Sequence, residues 1–153
     1  MAKIFGYYHK NIDRAWFESS NVFYCECLDR ENDFKKVKVT FNNGSCYEYD
    51  NVKVQDYLLF RDDASQGKAL QKYIKAKNYP YKKLDNSNIN ELKDELEFRT
   101  NGGTYVTLDD SKLVLLNGKD EEFYRSEKDA NEDTLDIVCE AMTAVGVTNI
   151  IKK

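Results

Sequence analysis

Lys35-Lys36-Val37-Lys38-Val39-Thr40-Phe41-Asn42-Asn43-Gly44-Ser45-Cys46-Tyr47-Glu48-Tyr49-Asp50-Asn51-Val52 is the stretch that decides the fold. Val37, Val39 and Phe41 alternate with Lys36, Lys38 and Thr40. That period of two sets one side of an extended strand on a core and the other in water. Asn42-Asn43-Gly44-Ser45 breaks the pattern. Asn-Gly accepts the positive φ angles of a type I′ turn, so residues 46–52 are expected to return as the partner strand of a hairpin.

Working outward, residues 21–28 read as a further strand, with Val22, Tyr24, Glu26 and Leu28 on one face and Phe23, Cys25 and Cys27 on the other. Residues 29–33 are a charged turn. Residues 4–8 read as a short strand or an aromatic arm, and residues 11–16 as a polar link with room for one helical turn. Downstream, Val54, Tyr57, Leu58 and Phe60/Arg61 give helical spacing over 54–61. Ser65-Gln66-Gly67-Lys68 then opens a second helix over 68–77, with Ser65 as N-cap. Pro80, the sole proline, ends it, and residues 81–84 form a short edge strand.

Residues 85–94 are polar and asparagine-rich, which marks a boundary. Strands are expected at 96–100, 104–108, 112–116 and 121–124, joined in part by Asn101-Gly102-Gly103 and Asn117-Gly118. Leu135, Val138, Met142 and Val145 predict an amphipathic helix over 131–145, with Gly146 as its C′ residue, and residues 147–151 a terminal strand. The fold class is therefore α+β: an antiparallel hairpin or meander sheet with two or three short helices, followed by a β-β-β-α-β half. The divisions are 1–16 as an arm or strand, 17–84 as the first module and 85–153 as an acidic half. Whether both share one sheet stays open.

At 153 residues, with 41% hydrophobic and 33% charged side chains, the composition is that of a well-solvated globular chain. No apolar run is long enough to span a bilayer, and residues 1–10 lack the apolar core of a signal peptide. Together with Cys25, Cys27, Cys46 and Cys139, this predicts a cytoplasmic protein with reduced thiols. Charge is unevenly placed. Residues 85–153 hold eight basic and sixteen acidic groups, a net of −8, inside a chain of net charge −4. By contrast, residues 64–84 hold six lysines, three tyrosines and no acid. Lysines attract phosphate and tyrosine rings offer a face for a base, so this run points to an anionic, ring-bearing ligand. The competing reading is a helix with solvated lysines.

The candidate ligand residues are Tyr47, Tyr49, Ser65, Gly67, Lys68, Lys72, Lys75, Tyr79, Lys82 and Lys83. Tyr47 and Tyr49 emerge on one strand face, either to stack bases or to line the core. Ser65-x-Gly67-Lys68 offers an anion either free N–H groups at a helix start or, in the plainer reading, a cap with a glycine for close packing. Lys68, Lys72, Lys75, Lys82 and Lys83 would neutralise phosphate. No catalytic constellation is visible. His9 is the only histidine, and Cys25-x-Cys27 with Cys46 and His9 lacks the spacing of a zinc knuckle, so neither metal nor cofactor is expected. Asp109-Asp110, Asp120-Glu121-Glu122 and Asp133-x-x-Asp136 are explained by turn and helix-start chemistry, and Trp16 and Phe17 by burial.

Residues 17–84 resemble the KTSC domain, a short module named for its place at the C-terminus of some lysyl-tRNA synthetases and found also in small bacterial and viral proteins. The resemblance rests on Glu18-Ser19-Ser20-Asn21-Val22, then Val39-Thr40-Phe41-Asn42-Asn43-Gly44-Ser45, Tyr47-Glu48-Tyr49, Asp50-Asn51-Val52, Ser65-Gln66-Gly67-Lys68, and Ile74-Lys75 with Tyr79. One departure is Lys53, where the family usually has proline. The resemblance implies a β-hairpin with helices and RNA binding. The leading expectation is thus a non-enzymatic protein that binds RNA, single-stranded nucleic acid or a nucleotide-type anion. The alternative is a small phage-type adaptor or inhibitor of a host protein, acting through the acidic half, or a factor that sequesters a signalling nucleotide. The oligomeric state is not assigned.

Overall fold

In the computed structural model, the chain divides into two units, residues 1–93 and 94–153. The structure describes residues 3–9, 11–28, 34–84, 88–101, 103–109, 112–116, 123–129, 131–146 and 150–152. The fold is α+β.

The first unit is a six-stranded antiparallel meander in chain order: β1 (Lys3–His9), β2 (Ile12–Phe17), β3 (Val22–Leu28), β4 (Phe34–Phe41), β5 (Cys46–Lys53) and β6 (Tyr81–Leu84). Residues 11–16, read as a polar link, instead begin with Asn11 at φ 63 and continue as β2. Asparagine tolerates the left-handed region, so a hairpin closes where His9 pairs with Ile12. β3 carries a bulge between Val22 and Tyr24. The extra residue flips Val22 onto the side of Cys25 and Cys27, so all three enter the core.

The central hairpin pairs Val39 with Tyr47 and Val37 with Tyr49. Its turn differs from the expected type I′. Neither Asn42 nor Asn43 has positive φ, while Gly44 sits at φ 91. Gly44 N donates to Phe41 O at 2.9 Å and Phe41 N to Ser45 O at 2.8 Å. This is a type I turn completed by a left-handed glycine, the three-residue loop with a G1 bulge. Asn42 also anchors the preceding chain, with its N–H on Asn21 O and its side-chain amide on Ser19 O.

Two helical segments cover one face of this sheet. α1 (Val54–Asp62) inserts Tyr57 and Phe60 into the core. α2 (Gln66–Ala69) runs into a π turn at Leu70–Ile74 and a 3-10 turn at Lys75–Lys77, ending on Asn78 at φ 57. Leu70 and Ile74 are buried against Val37, Val39 and Tyr49. Between β2 and α1, the buried Asp13 accepts from Arg61 Nη1 at 2.9 Å and from Tyr57 Oη at 2.7 Å. Cys25 Sγ lies 3.6 Å from the same phenol. On the sheet's other face, Trp16 packs against the tilted Phe5 ring and edge-on against Tyr24, and its Nε1 donates to Leu92 O at 3.0 Å.

α3 (Ile89–Thr100) spans the boundary between the units. It replaces the strand expected at 96–100. Leu92, Leu96 and Arg99 recur at three and four residues, a helical spacing. The second unit has its own four-stranded sheet in the order β10-β7-β8-β9, from β7 (Thr104–Asp109), β8 (Lys112–Leu116), β9 (Phe123–Asp129) and β10 (Ile150–Lys152). β10 runs parallel to β7. α4 (Glu132–Ala144) lays Leu135, Val138 and Met142 on Val106 and Leu113. Asn131 caps it by accepting from Thr134 N at 3.0 Å, and Gly146 follows at φ 91. Among the described residues, no helix is long and apolar enough to cross a membrane.

Candidate functional site

Tyr47 and Tyr49 leave β5 on the face that α1 and the α2 segment cover. β6 pairs Tyr81 with Tyr49 and Lys83 with Tyr47, so the pleat sets Tyr81 and Lys83 on that same face. The helical layer stops short of the sheet edge, because Asn78 turns left-handed and Pro80 redirects the chain into β6. What remains is a groove of about 820 Å³, lined by Phe41, Tyr47, Tyr49 and Tyr81 on the sheet side and by Lys75, Asn78, Tyr79 and Pro80 on the other. Asn43 and Ser45 of the hairpin loop complete the rim.

The rings form one connected wall. Phe41 meets Tyr47 edge-on at 5.7 Å between centroids, and Tyr81 lies 6.2 Å from Tyr47 and 5.8 Å from Tyr49. Tyr49 is 3% exposed and belongs to the core, while Tyr81 is 67% exposed and open to a ligand. Tyr47 is half-buried between them. Burial, with Tyr47 and Tyr81 beside it, pushes the Tyr49 phenol up to about 12. It therefore stays a neutral hydrogen-bond donor at physiological pH. The Tyr79 hydroxyl donates to the Asp56 carboxylate and accepts from Lys53 N at 3.3 Å. Burial and that carboxylate raise its pKa. Lys53, standing in place of the proline usual in the resembling family, keeps a proline-like φ of −66 and uses an N–H that proline lacks.

The ten residues named from the sequence do not all converge. Tyr47, Tyr49, Tyr79 and Lys75 line the groove, and Lys83 shares its face. Lys82 points to the opposite face, where it and Lys36 flank the buried Glu48 carboxylate at 3.5 and 3.6 Å. Lys72 lies over the Tyr73 ring at 5.1 Å. Tyr73 borders a separate cleft with Val54, Leu58 and Leu59. Ser65 makes no side-chain cap bond, and α2 has only four residues of regular helix. Gly67 abuts Asn21, where an added Cβ would come within 3.3 Å of the amide nitrogen. Ser65-x-Gly67-Lys68 thus docks the helical segment on the Ser19–Asn21 turn, and the exposed Lys68 is not part of the groove lining.

Phe41, Asn43, Ser45, Asn78 and Pro80 were not named as ligand residues from the sequence, and Tyr81 entered only as one of the three tyrosines of the lysine-rich run. The register of β6 on β5 gathers them, and β6 is too short to announce its register. Of the other chemical candidates, Cys25 is buried and its thiol is raised well above its ordinary pKa, mainly by burial, so it is unreactive. Asp136 pairs with Lys152, and Asp133 sits in the first turn of α4. No cluster of His, Cys, Asp or Glu suited to a metal ion occurs among the described residues. The side chains of His9 and Asp109, and all of Asp110, Asn117-Gly118 and Asp120-Glu121-Glu122, lie outside the described residues.

No curated protein and no solved structure matches the chain. The family model of the KTSC domain matches residues 31–79. That segment takes in β4, β5, α1, the α2 segment and most of the groove lining, whereas Ser19-Ser20-Asn21 and β6 fall outside it. The hairpin and helical layer that shape the groove therefore match the KTSC domain over one segment of this chain.

Proposed function

We propose that this protein is a binding protein rather than an enzyme, and that it holds RNA, single-stranded nucleic acid or a nucleotide-type anion in the groove between β5–β6 and residues 75–80. One observation carries the reading: four connected aromatic rings, the outermost exposed, wall an open groove that Lys75 also lines. Stacking of a base on such a ring is worth about 1–3 kcal/mol. Lys75 and Lys83 supply attraction to phosphate, and Asn43, Ser45 and Asn78 offer amide and hydroxyl partners to a base edge. Titration of the full chain with RNA, single-stranded DNA and nucleotides at about 50 mM salt tests the reading. Saturable binding that weakens as salt rises is expected. Absence of binding to every one of these ligands at low salt would end it.

A further inference from the structure

The lysines of residues 64–84 suggest a polyanion track, but the structure disperses them. Lys72 is stacked on Tyr73, away from the groove lining, and Lys82 is paired to Glu48 on the far face of the sheet. Lys68 and Lys77 are exposed and line no part of the groove. The π turn at Leu70–Ile74 accounts for part of this. In an unbroken α-helix, residues 68, 72 and 75 would form one stripe, because positions four and seven apart share a face. A wider turn between 70 and 74 rotates Lys75 out of that stripe. Lys75 alone of these lysines then lines the groove, and strand register sets Lys83 opposite Tyr47 on the same sheet face.

The groove therefore combines a four-ring wall, two asparagines and a serine at its rim, and only one or two positive charges. Its volume of about 820 Å³ suits a small ligand. On the reading that the groove binds a nucleotide-type anion, we infer that it takes a single nucleoside monophosphate unit. The base lies on Tyr81 and Tyr47, and the one phosphate sits at Lys75 and Lys83. The same unit occurs free and as one residue of a single strand, and both present this chemistry.

Calorimetric titration of the full chain with nucleoside monophosphates, the matching nucleosides, and short RNA and DNA single strands decides the matter. At least one monophosphate is expected to bind, more tightly than its nucleoside. One phosphate contact costs about 2.6-fold in affinity between about 50 and about 200 mM salt, whereas five would cost about 130-fold. The shallow dependence is expected, whether the unit is free or within a strand. A strand that binds no better than its monophosphate assigns the free nucleotide, and one that binds better with the same shallow slope assigns a strand residue. Tyr81→Ala is expected to weaken monophosphate binding about 5- to 150-fold. Lys75→Ala is expected to weaken it too, whereas Lys82→Ala leaves it within twofold, about the scatter of such measurements. Tyr81 and Lys75 are both exposed, and unchanged thermal unfolding of the variants confirms that the fold is retained. Strands that bind with the steep dependence while no monophosphate binds would overturn the inference and leave the nucleic-acid reading standing. No binding of any ligand removes both.

Discussion

The Asp13 carboxylate is buried between β2 and α1, where it accepts from Arg61 and from the Tyr57 phenol. Burial alone works to lower the Arg61 pKa, and the carboxylates of Asp62 and Asp13 outweigh it, so the guanidinium stays charged. Replacing Asp13 by Ala leaves Arg61 with the more exposed Asp62 carboxylate and takes from the phenol its carboxylate acceptor. The expected loss is about 3–5 kcal/mol, the range for a buried pair that has lost one partner. Urea unfolding of Asp13→Ala measures it, and a loss under about 1 kcal/mol would mean that solvated Asp62 suffices. Cys25, Tyr57 and Tyr49 add a pH dependence, since burial raises all three. Each binds its proton more tightly when folded. Their contribution is thus full below the ordinary values of 9.0 and 10.0 and is lost as pH rises through the folded ones. The unfolding midpoint is expected to fall steeply from about pH 9 towards about pH 12, and less steeply in Tyr57→Phe. At this scale the sequence was half legible. Tyr47-x-Tyr49 is visibly a shared face, but nothing near Asp13 indicates a partner 48 residues away.

Among the elements, the 37–52 hairpin was legible because alternation and Asn-Gly agree, and only the turn type differed. β2 was missed because Asp13 and Arg14 look solvated, whereas one is buried with Arg61 and the other lies against the Trp16 and Tyr24 rings. α3 was missed because the asparagines before it resemble a linker and Arg99 hides the helical spacing. That arginine is buried, donating to Leu116 O at 2.9 Å and lying 3.8 Å from the Tyr105 ring centroid. The α2 segment yields a prediction about its glycine. If Gly67 only docks on Asn21, the far end of an exposed side chain, Gly67→Ala should be neutral or stabilise by up to about 1 kcal/mol. Its ligand affinity should be unchanged, and a selective loss of affinity would restore an anion-binding role to that helix start. In the second unit, Asn131→Ala removes the cap of α4 and should cost about 1 kcal/mol by thermal or urea unfolding.

For the whole molecule, the sequence places a boundary at residues 85–94, and the chain divides into units of residues 1–93 and 94–153, each with its own sheet. Residues 4–8, which read as a short strand or an aromatic arm, and residues 11–16, which read as a link, supply two of the six strands of the first. The KTSC match at 31–79 is accordingly smaller than the body it belongs to. Ala15, Phe17, Val22, Cys25 and Cys27 lie in the same core as Val37, Val39 and Phe60. A fragment of residues 31–79 lacks those five of the fourteen described buried core residues and should remain unfolded by circular dichroism, while residues 1–93 should unfold cooperatively. A cooperative 31–79 fragment would show that the upstream strands are dispensable. The groove was only partly legible at this scale, because its open ring, Tyr81, arrives from a four-residue edge strand. The most direct test of the ligand assignment is an amide and side-chain NMR titration of the full chain with a bound nucleotide or short single strand. Shifts are expected to concentrate on Phe41, Tyr47, Lys75, Asn78 and Tyr81 and to spare Lys68, Lys72 and Lys82. Shifts that follow those three lysines and leave the tyrosine wall untouched would contradict it.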